Sequence, residues 1–203
     1  PTITGQSVLT TPEDTPLTIE LSDLSVTDID NNYPADFTLE VLPGINYAVT
    51  DGNTVNPVLN FSGNLTVPVK VDDGGINNSV SNTFNLTVNV TPVNDPPEIT
   101  GQQTITALED NDIEITLPDL IYQDPDNSNP ADFTILLEDG ANYSISGTTV
   151  IPASNYNGNL SVISRLRDNQ TQNNTSNAFT LAITINAVDD APEIGNLLDK
   201  TIN

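Results

Sequence analysis

The residues able to do chemistry in this chain are almost all carboxylates. Twenty aspartates and eight glutamates stand among 203 residues, against four lysines and arginines, with no histidine and no cysteine. They gather in short runs: Glu13-Asp14, Asp28-Ile29-Asp30-Asn31, Asp72-Asp73, Asn94-Asp95, Glu109-Asp110, Asp124-Pro125-Asp126-Asn127, Asp168 and Asp189-Asp190. Such a set offers hard oxygen ligands and no imidazole or thiolate, which disfavours zinc and copper. Six to eight oxygens carried on flexible loops suit Ca²⁺ better than the strict octahedron of Mg²⁺. Catalysis finds little to work with. No activated nucleophile is visible, and only carboxylate pairs remain, as in glycoside hydrolysis. Those pairs recur at loop ends throughout the chain, as structural ligands do, so the reading is non-enzymatic.

The net charge of −24 argues against nucleic acid or an anionic membrane surface as a partner. No apolar run reaches 18 residues, so no membrane span is expected. Without cysteine, disulfides do not hold the fold. The chain starts at Pro1 rather than methionine and reads as part of a longer protein.

The acids recur because the chain is a duplication. At an offset of 96, PTITGQ (1–6) meets PEITGQ (97–102), Glu13-Asp14 meets Glu109-Asp110, and Asp28 and Asp30 meet Asp124 and Asp126. PADFT (34–38) likewise meets PADFT (130–134). One residue is then lost, and at an offset of 95 NFSGNL (60–65) meets NYNGNL (155–160), Asp73 meets Asp168, and SNTFNL (81–86) meets SNAFTL (176–181). The copies span 1–96 and 97–191, and PEIGNLLDKTI at 192–202 resembles the first strand of a third, so 192–203 is read as the start of another repeat or a tail.

Period-two alternation marks the elements that carry these loops. Phe84, Leu86, Val88 and Val90 alternate with polar residues, as do Phe179, Leu181, Ile183 and Ile185. This is the pattern of a half-buried antiparallel strand. Seven strands per copy are predicted, in the first at 2–9, 16–21, 37–41, 46–49, 54–58, 65–71 and 83–90. The fold class is therefore all-β: two tandem seven-stranded immunoglobulin-like Greek-key sandwiches. Phe61 and Tyr156 read as core aromatics beside a tight turn. Asp23, Asp51, Asp119 and Asp139 read as solvated turn residues.

Following the strands up and down places Glu13 and Asp14 at the bottom of a copy. Asp28, Asp30 and Asp73 fall at its top, and Asn94 and Asp95 at its bottom exit. If the copies stack end to end, Glu13, Asp14, Asn94 and Asp95 meet Asp124, Asp126 and Asp168. Six like charges would then converge and repel unless a cation intervened. Asp28, Asp30 and Asp73 would form an incomplete upper site, and Glu109, Asp110, Asp189 and Asp190 an incomplete lower one. Pro96-Pro97 stiffens the chain leaving the joint.

The linkers VNDPPEI (93–99) and VDDAPEI (188–194), the DxDN at 28–31 and 124–127, and the aspartate ending the sixth strand resemble bacterial cadherin-like repeats. Such repeats occur in large secreted or surface proteins and adhesins. The resemblance covers the whole chain and implies calcium as cofactor. Cadherins carry a further acidic motif in the loop between the fifth and sixth strands. Here that loop reads NFSG and NYNG, so one or two ions per junction are expected rather than three. The implied function is a calcium-rigidified spacer or adhesion segment, extracellular or on the cell surface, whose partners include like chains. The alternative is a carbohydrate-binding accessory module of a secreted polysaccharide-degrading enzyme. It would need exposed aromatics, and with no tryptophan only Tyr33 and Tyr122, unmatched between the copies, are candidates.

Overall fold

A computed structural model describes residues 1–191. The segment read as the start of a third repeat lies outside the described residues. The chain divides into two compact units, Pro1–Val93 and a second beginning at Asn94, so Asn94, Asp95 and Pro96 belong with the second unit by packing.

In the first unit the strands are β1 (Thr2–Gln6), β2 (Leu9–Pro12), β3 (Leu17–Thr18), β4 (Leu24–Thr27), β5 (Thr38–Val41), β6 (Tyr47–Thr50), β7 (Thr54–Pro57), β8 (Gly63–Asp72) and β9 (Phe84–Thr91). The second unit repeats them as β10 (Glu98–Gln102), β11 (Ile105–Leu108), β12 (Ile113–Glu114), β13 (Leu120–Gln123), β14 (Thr134–Leu137), β15 (Tyr143–Ser146), β16 (Thr149–Pro152), β17 (Gly158–Arg167) and β18 (Phe179–Asn186). A four-stranded sheet ordered β2-β9-β8-β5 stands with β3-β7-β6 and β1-β4 in one unit; β11-β18-β17-β14, β12-β16-β15 and β10-β13 match them in the other. Each unit is an all-β sandwich, as the alternation predicts.

The seven predicted strands become nine segments because two of them break. The first changes sheets at Ser7-Val8: β1 runs antiparallel to β4, while β2 runs parallel to β9. The second is interrupted by a 3₁₀ turn at Leu21–Asp23 and resumes as β4, beyond its predicted end at 21. Leu117–Asp119 repeats that turn. Asp23 and Asp119, read as solvated, are half-buried and cap these turns, accepting the Glu20 and Thr116 N–H groups at 2.8 and 2.7 Å.

The alternating residues build the core. Leu65, Val67, Val69 and Val71 on β8 and Leu86, Val88 and Val90 on β9 are all buried, as are Leu160, Val162, Leu166, Leu181, Ile183 and Ile185 in the second unit. Ser164 takes the place of Val69 and satisfies its buried hydroxyl by donating to the Phe179 carbonyl at 3.1 Å. Phe61 and Tyr156 lie partly buried against the two cores.

Amide side chains also hold the first strand near its start. The Ile3 N–H donates to Asn82 Oδ1 at 2.9 Å and Asn82 Nδ2 to the Ile3 carbonyl at 3.3 Å; Asn177 treats Ile99 in the same way. This gives the SN pair of SNTF and SNAF a structural role, since Ser81 and Ser176 also accept the Val71 and Leu166 N–H groups. The abundance of Asn and Asp has a backbone cause too. Asp14/Asp110, Asn46/Asn142, Asn60/Asn155 and Asn78/Asn173 are matched pairs with φ between 48° and 67°. Asn and Asp tolerate this left-handed region better than other residues bearing a β-carbon.

Candidate metal centre

In the second unit the acids gather around its own entering segment. Asp124 follows β13, and its Oδ1 accepts the N–H groups of Asp126 and Asn127, both at 2.8 Å. This Asx-type turn fixes the DxDN loop. Asp126 Oδ2 in turn accepts the Asp95 N–H at 2.7 Å. Asp168, following β17 and 3% exposed, accepts the Gln170 N–H on Oδ1 at 2.7 Å and Asn94 Nδ2 on Oδ2 at 3.0 Å. Asn94 Nδ2 also lies 3.1 Å from the carbonyl oxygens of Gln172 and Asn173. Asn94, Asp95, Asp124, Asp126 and Asp168 are thus brought together within one unit. The two carbonyls were missed in the sequence, because backbone oxygens leave no residue-type signal. The nearest hint is the repeated asparagine at 78 and 173, whose left-handed backbone shapes that loop in both copies.

Asp124 Oδ2 is buried and accepts no hydrogen bond. A buried carboxylate oxygen in that state is costly unless a cation satisfies it. Asn94, Asp95, Asp126 and Asp168, tied to the same loops by the hydrogen bonds above, can offer a metal only oxygen ligands. These residues fit a hard divalent cation.

The equivalent acids of the first unit also converge. One oxygen each from Asp28, Asp30 and Asp73 lie within 4.8 Å of one another. Asp28 Oδ1 accepts the Asp30 and Asn31 N–H groups, and Asp73 Oδ1 accepts that of Gly75 at 2.8 Å. The backbone nitrogen of Pro1 lies 2.8 Å from Asp28 Oδ2, so the entering strand reaches the same cluster.

At the other end of each unit the glutamates are buried. Glu13 and Glu109, each 4% exposed, accept the N–H groups of Val93 and Val188 at 2.6 Å, and Glu109 Oε2 also accepts Asn157 Nδ2 at 3.2 Å. Asp14 and Asp110 accept the Asn60 and Asn155 N–H groups at 2.9 and 2.8 Å. Asp189 and Asp190 are exposed.

The two unmatched tyrosines are not exposed platforms. Both are half-buried: Tyr33 meets Phe37 edge-on at 5.1 Å between ring centroids, and Tyr122 meets Phe133 at the same separation. Phe37 and Phe133 are equivalent positions, so the two copies fill one aromatic slot from different places in the chain. Matching positions could not reveal this, because the compensating residues are not aligned.

No family model and no curated protein sequence matches the chain. Solved structures do. Human protocadherin-24 EC1-2 aligns at 15% identity and TM-score 0.53, covering 94% of this chain and 99% of that one. Mouse cadherin-23 EC22-24 aligns at 15% identity and TM-score 0.52, covering 93% and 65%, and Drosophila N-cadherin EC1-4 at 13% and 0.51, covering 89% and 48%. The chain thus spans about two thirds and half of those latter two chains. The fold is that of tandem cadherin extracellular domains. At these identities the likeness is one of fold. Among the described residues no helix is long and apolar enough to cross a membrane.

Proposed function

We propose that the chain is a calcium-binding, adhesion-type spacer, acting outside the cell within a larger surface or secreted protein. The observation that carries the reading is Asp124 Oδ2, a buried oxygen without a hydrogen-bond partner beside Asn94, Asp95, Asp126 and Asp168. These five residues would hold the ion in the second unit, and Asp28, Asp30 and Asp73 its counterpart in the first. Glu13 and Asp14, Glu109 and Asp110, and Asp189 and Asp190 stand as further ligands at the lower ends. Asn94 is suited to a change of role. Its amide nitrogen faces three oxygens with only two hydrogens, and turning the amide over would present Oδ1 to a cation instead. A bound calcium would neutralise the clustered carboxylates and tie the loops and the entering segment to one centre.

The bacterial setting rests on the resemblance of the linker motifs, and like chains are the partners the fold favours. The polysaccharide-binding alternative lacks support, since Tyr33 and Tyr122 are engaged in packing. Calorimetric titration of the chain with Ca²⁺ and with Mg²⁺, paired with small-angle scattering in calcium and in chelator, tests the reading. Saturable binding that prefers Ca²⁺, with a narrower distribution of dimensions in calcium, is the expected result. No binding at millimolar calcium would end the proposal, and scattering curves identical in both conditions would remove its stiffening role.

A further inference from the structure

Each unit also carries a device suited to tension, and it uses no ion. In the first unit the incoming strand β2 runs parallel to the outgoing strand β9, pairing Leu9 with Val88, Thr10 with Asn89, Thr11 with Val90 and Pro12 with Thr91. The pairing is extended at both ends. Ahead of β2, Gln6 Nε2 donates to the Thr87 carbonyl at 2.9 Å, and the Thr87 N–H donates to Gln6 Oε1 at 2.7 Å. Beyond β2, the Glu13 N–H donates to the Thr91 carbonyl at 2.9 Å, and the Glu13 carboxylate accepts the Val93 N–H at 2.6 Å. The second unit repeats every part. Gln102 brackets Ala182 at 2.9 and 2.7 Å, β11 runs parallel to β18, the Glu109 N–H donates to the Asn186 carbonyl at 2.9 Å, and Glu109 accepts the Val188 N–H.

A pull on the two ends of a unit draws β2 backward by its leading end and β9 forward by its trailing end. In a parallel pair these forces lie along the strands and in opposite directions. The interstrand bonds then share the load and must fail together, whereas a sideways pull would break them one at a time. We propose that each unit is a load-bearing element whose resistance resides in the parallel pair, with Gln6 and Gln102 as the pins at its leading edge. An uncharged amide needs no cation, so this inference stands apart from the calcium reading and is tested in chelator.

The chain has no cysteine, so engineered thiols give unique handles. Thr4→Cys, at an exposed position ahead of Gln6, with Val93→Cys loads the first unit through Gln6 and along the strands. Val8→Cys with Thr87→Cys pulls the same pair apart sideways, since Leu9 faces Val88. Single-molecule pulling of the full chain in chelator should give a much higher unfolding force in the first geometry. Forced unfolding follows the unfolding rate. Gln6→Ala removes both interstrand hydrogen bonds to Thr87 and should raise that rate on the order of tenfold along the strands, with little change sideways. Because this bracket is exposed, water replaces it in the unloaded protein and the equilibrium midpoint should scarcely move. Equal forces in the two geometries would overturn the proposal, as would a Gln6→Ala variant that weakens both geometries alike or neither.

Discussion

Asp124→Asn should move the melting temperature in opposite directions with and without calcium. In chelator, Asp124 is one of several like charges held close together, and two carboxylates about 4 Å apart repel by roughly 1 kcal/mol in water and by more where solvent is excluded. Its Oδ2 is also buried without a hydrogen bond. Asparagine removes the charge and keeps an oxygen in the place of Oδ1, which the Asp126 and Asn127 N–H groups need for the turn. The variant should therefore melt a few degrees higher than the parent in chelator. In calcium the order should reverse. An ion present at a hundred times its dissociation constant adds about 2.7 kcal/mol to the folded form, equivalent to about 10 °C or more for a domain of this size. Losing one charged ligand should remove most of that gain. Differential scanning calorimetry of both proteins in both conditions reads all four values. A variant that melts lower in chelator and retains the full calcium shift would show that Asp124 is a turn residue and not a ligand.

The physical basis for such tests is partly legible in the sequence. The alternation in 84–90 and 179–185 marks strands whose inward residues are buried, with Phe84 and Phe179 half-buried at their starts. The doubling of Asp28, Asp30 and Asp73 as Asp124, Asp126 and Asp168 marks loops whose carboxylates gather in the first unit, while in the second Asp126 and Asp168 each hydrogen-bond the entering Asn94-Asp95 segment. Both signals survive because they rest on side-chain type at a fixed spacing. The break at Ser7-Val8 was not legible, since a strand that changes sheets keeps its alternation and differs only in which neighbour it pairs with. The pins Gln6 and Asn82 were visible as repeated letters in TGQ and SN, yet nothing in an amide's identity says that it will bracket a backbone some 80 residues away. The strand order places Glu13 among the ligands, because the loop after the first strand lies at the bottom of the sandwich. The structure adds that its carboxylate also holds the exit of β9, a role that depends on tertiary contact rather than composition.

Gly140→Ala should be among the most destabilising single changes in the second unit, although the position is exposed and adds only one methyl group. A β-carbon there would overlap the phenol of Tyr143, and at the equivalent Gly44 it would lie 2.5 Å from Tyr47 Oη, well inside contact distance. Neither glycine has a positive φ, so the requirement is one of space rather than backbone conformation. The rings cannot easily yield. Tyr47 and Tyr143 are 6% and 8% exposed and belong to the two cores. Their hydroxyls donate to the Leu42 carbonyl at 2.7 Å and the Ser161 carbonyl at 3.0 Å. Moving either ring would break that hydrogen bond and open the packing behind it. Overpacking of this kind costs about 1–3 kcal/mol, and the lost hydrogen bond adds about 1 kcal/mol. A melting temperature lower by about 10 °C is the expected result. The same substitution in a Tyr143→Leu background distinguishes crowding from a backbone effect, because a smaller side chain leaves room for the methyl group. Gly140→Ala should then cost far less, a coupling that a double-mutant cycle measures directly. If the cost is the same in both backgrounds, the glycine is required for a reason other than the tyrosine ring above it.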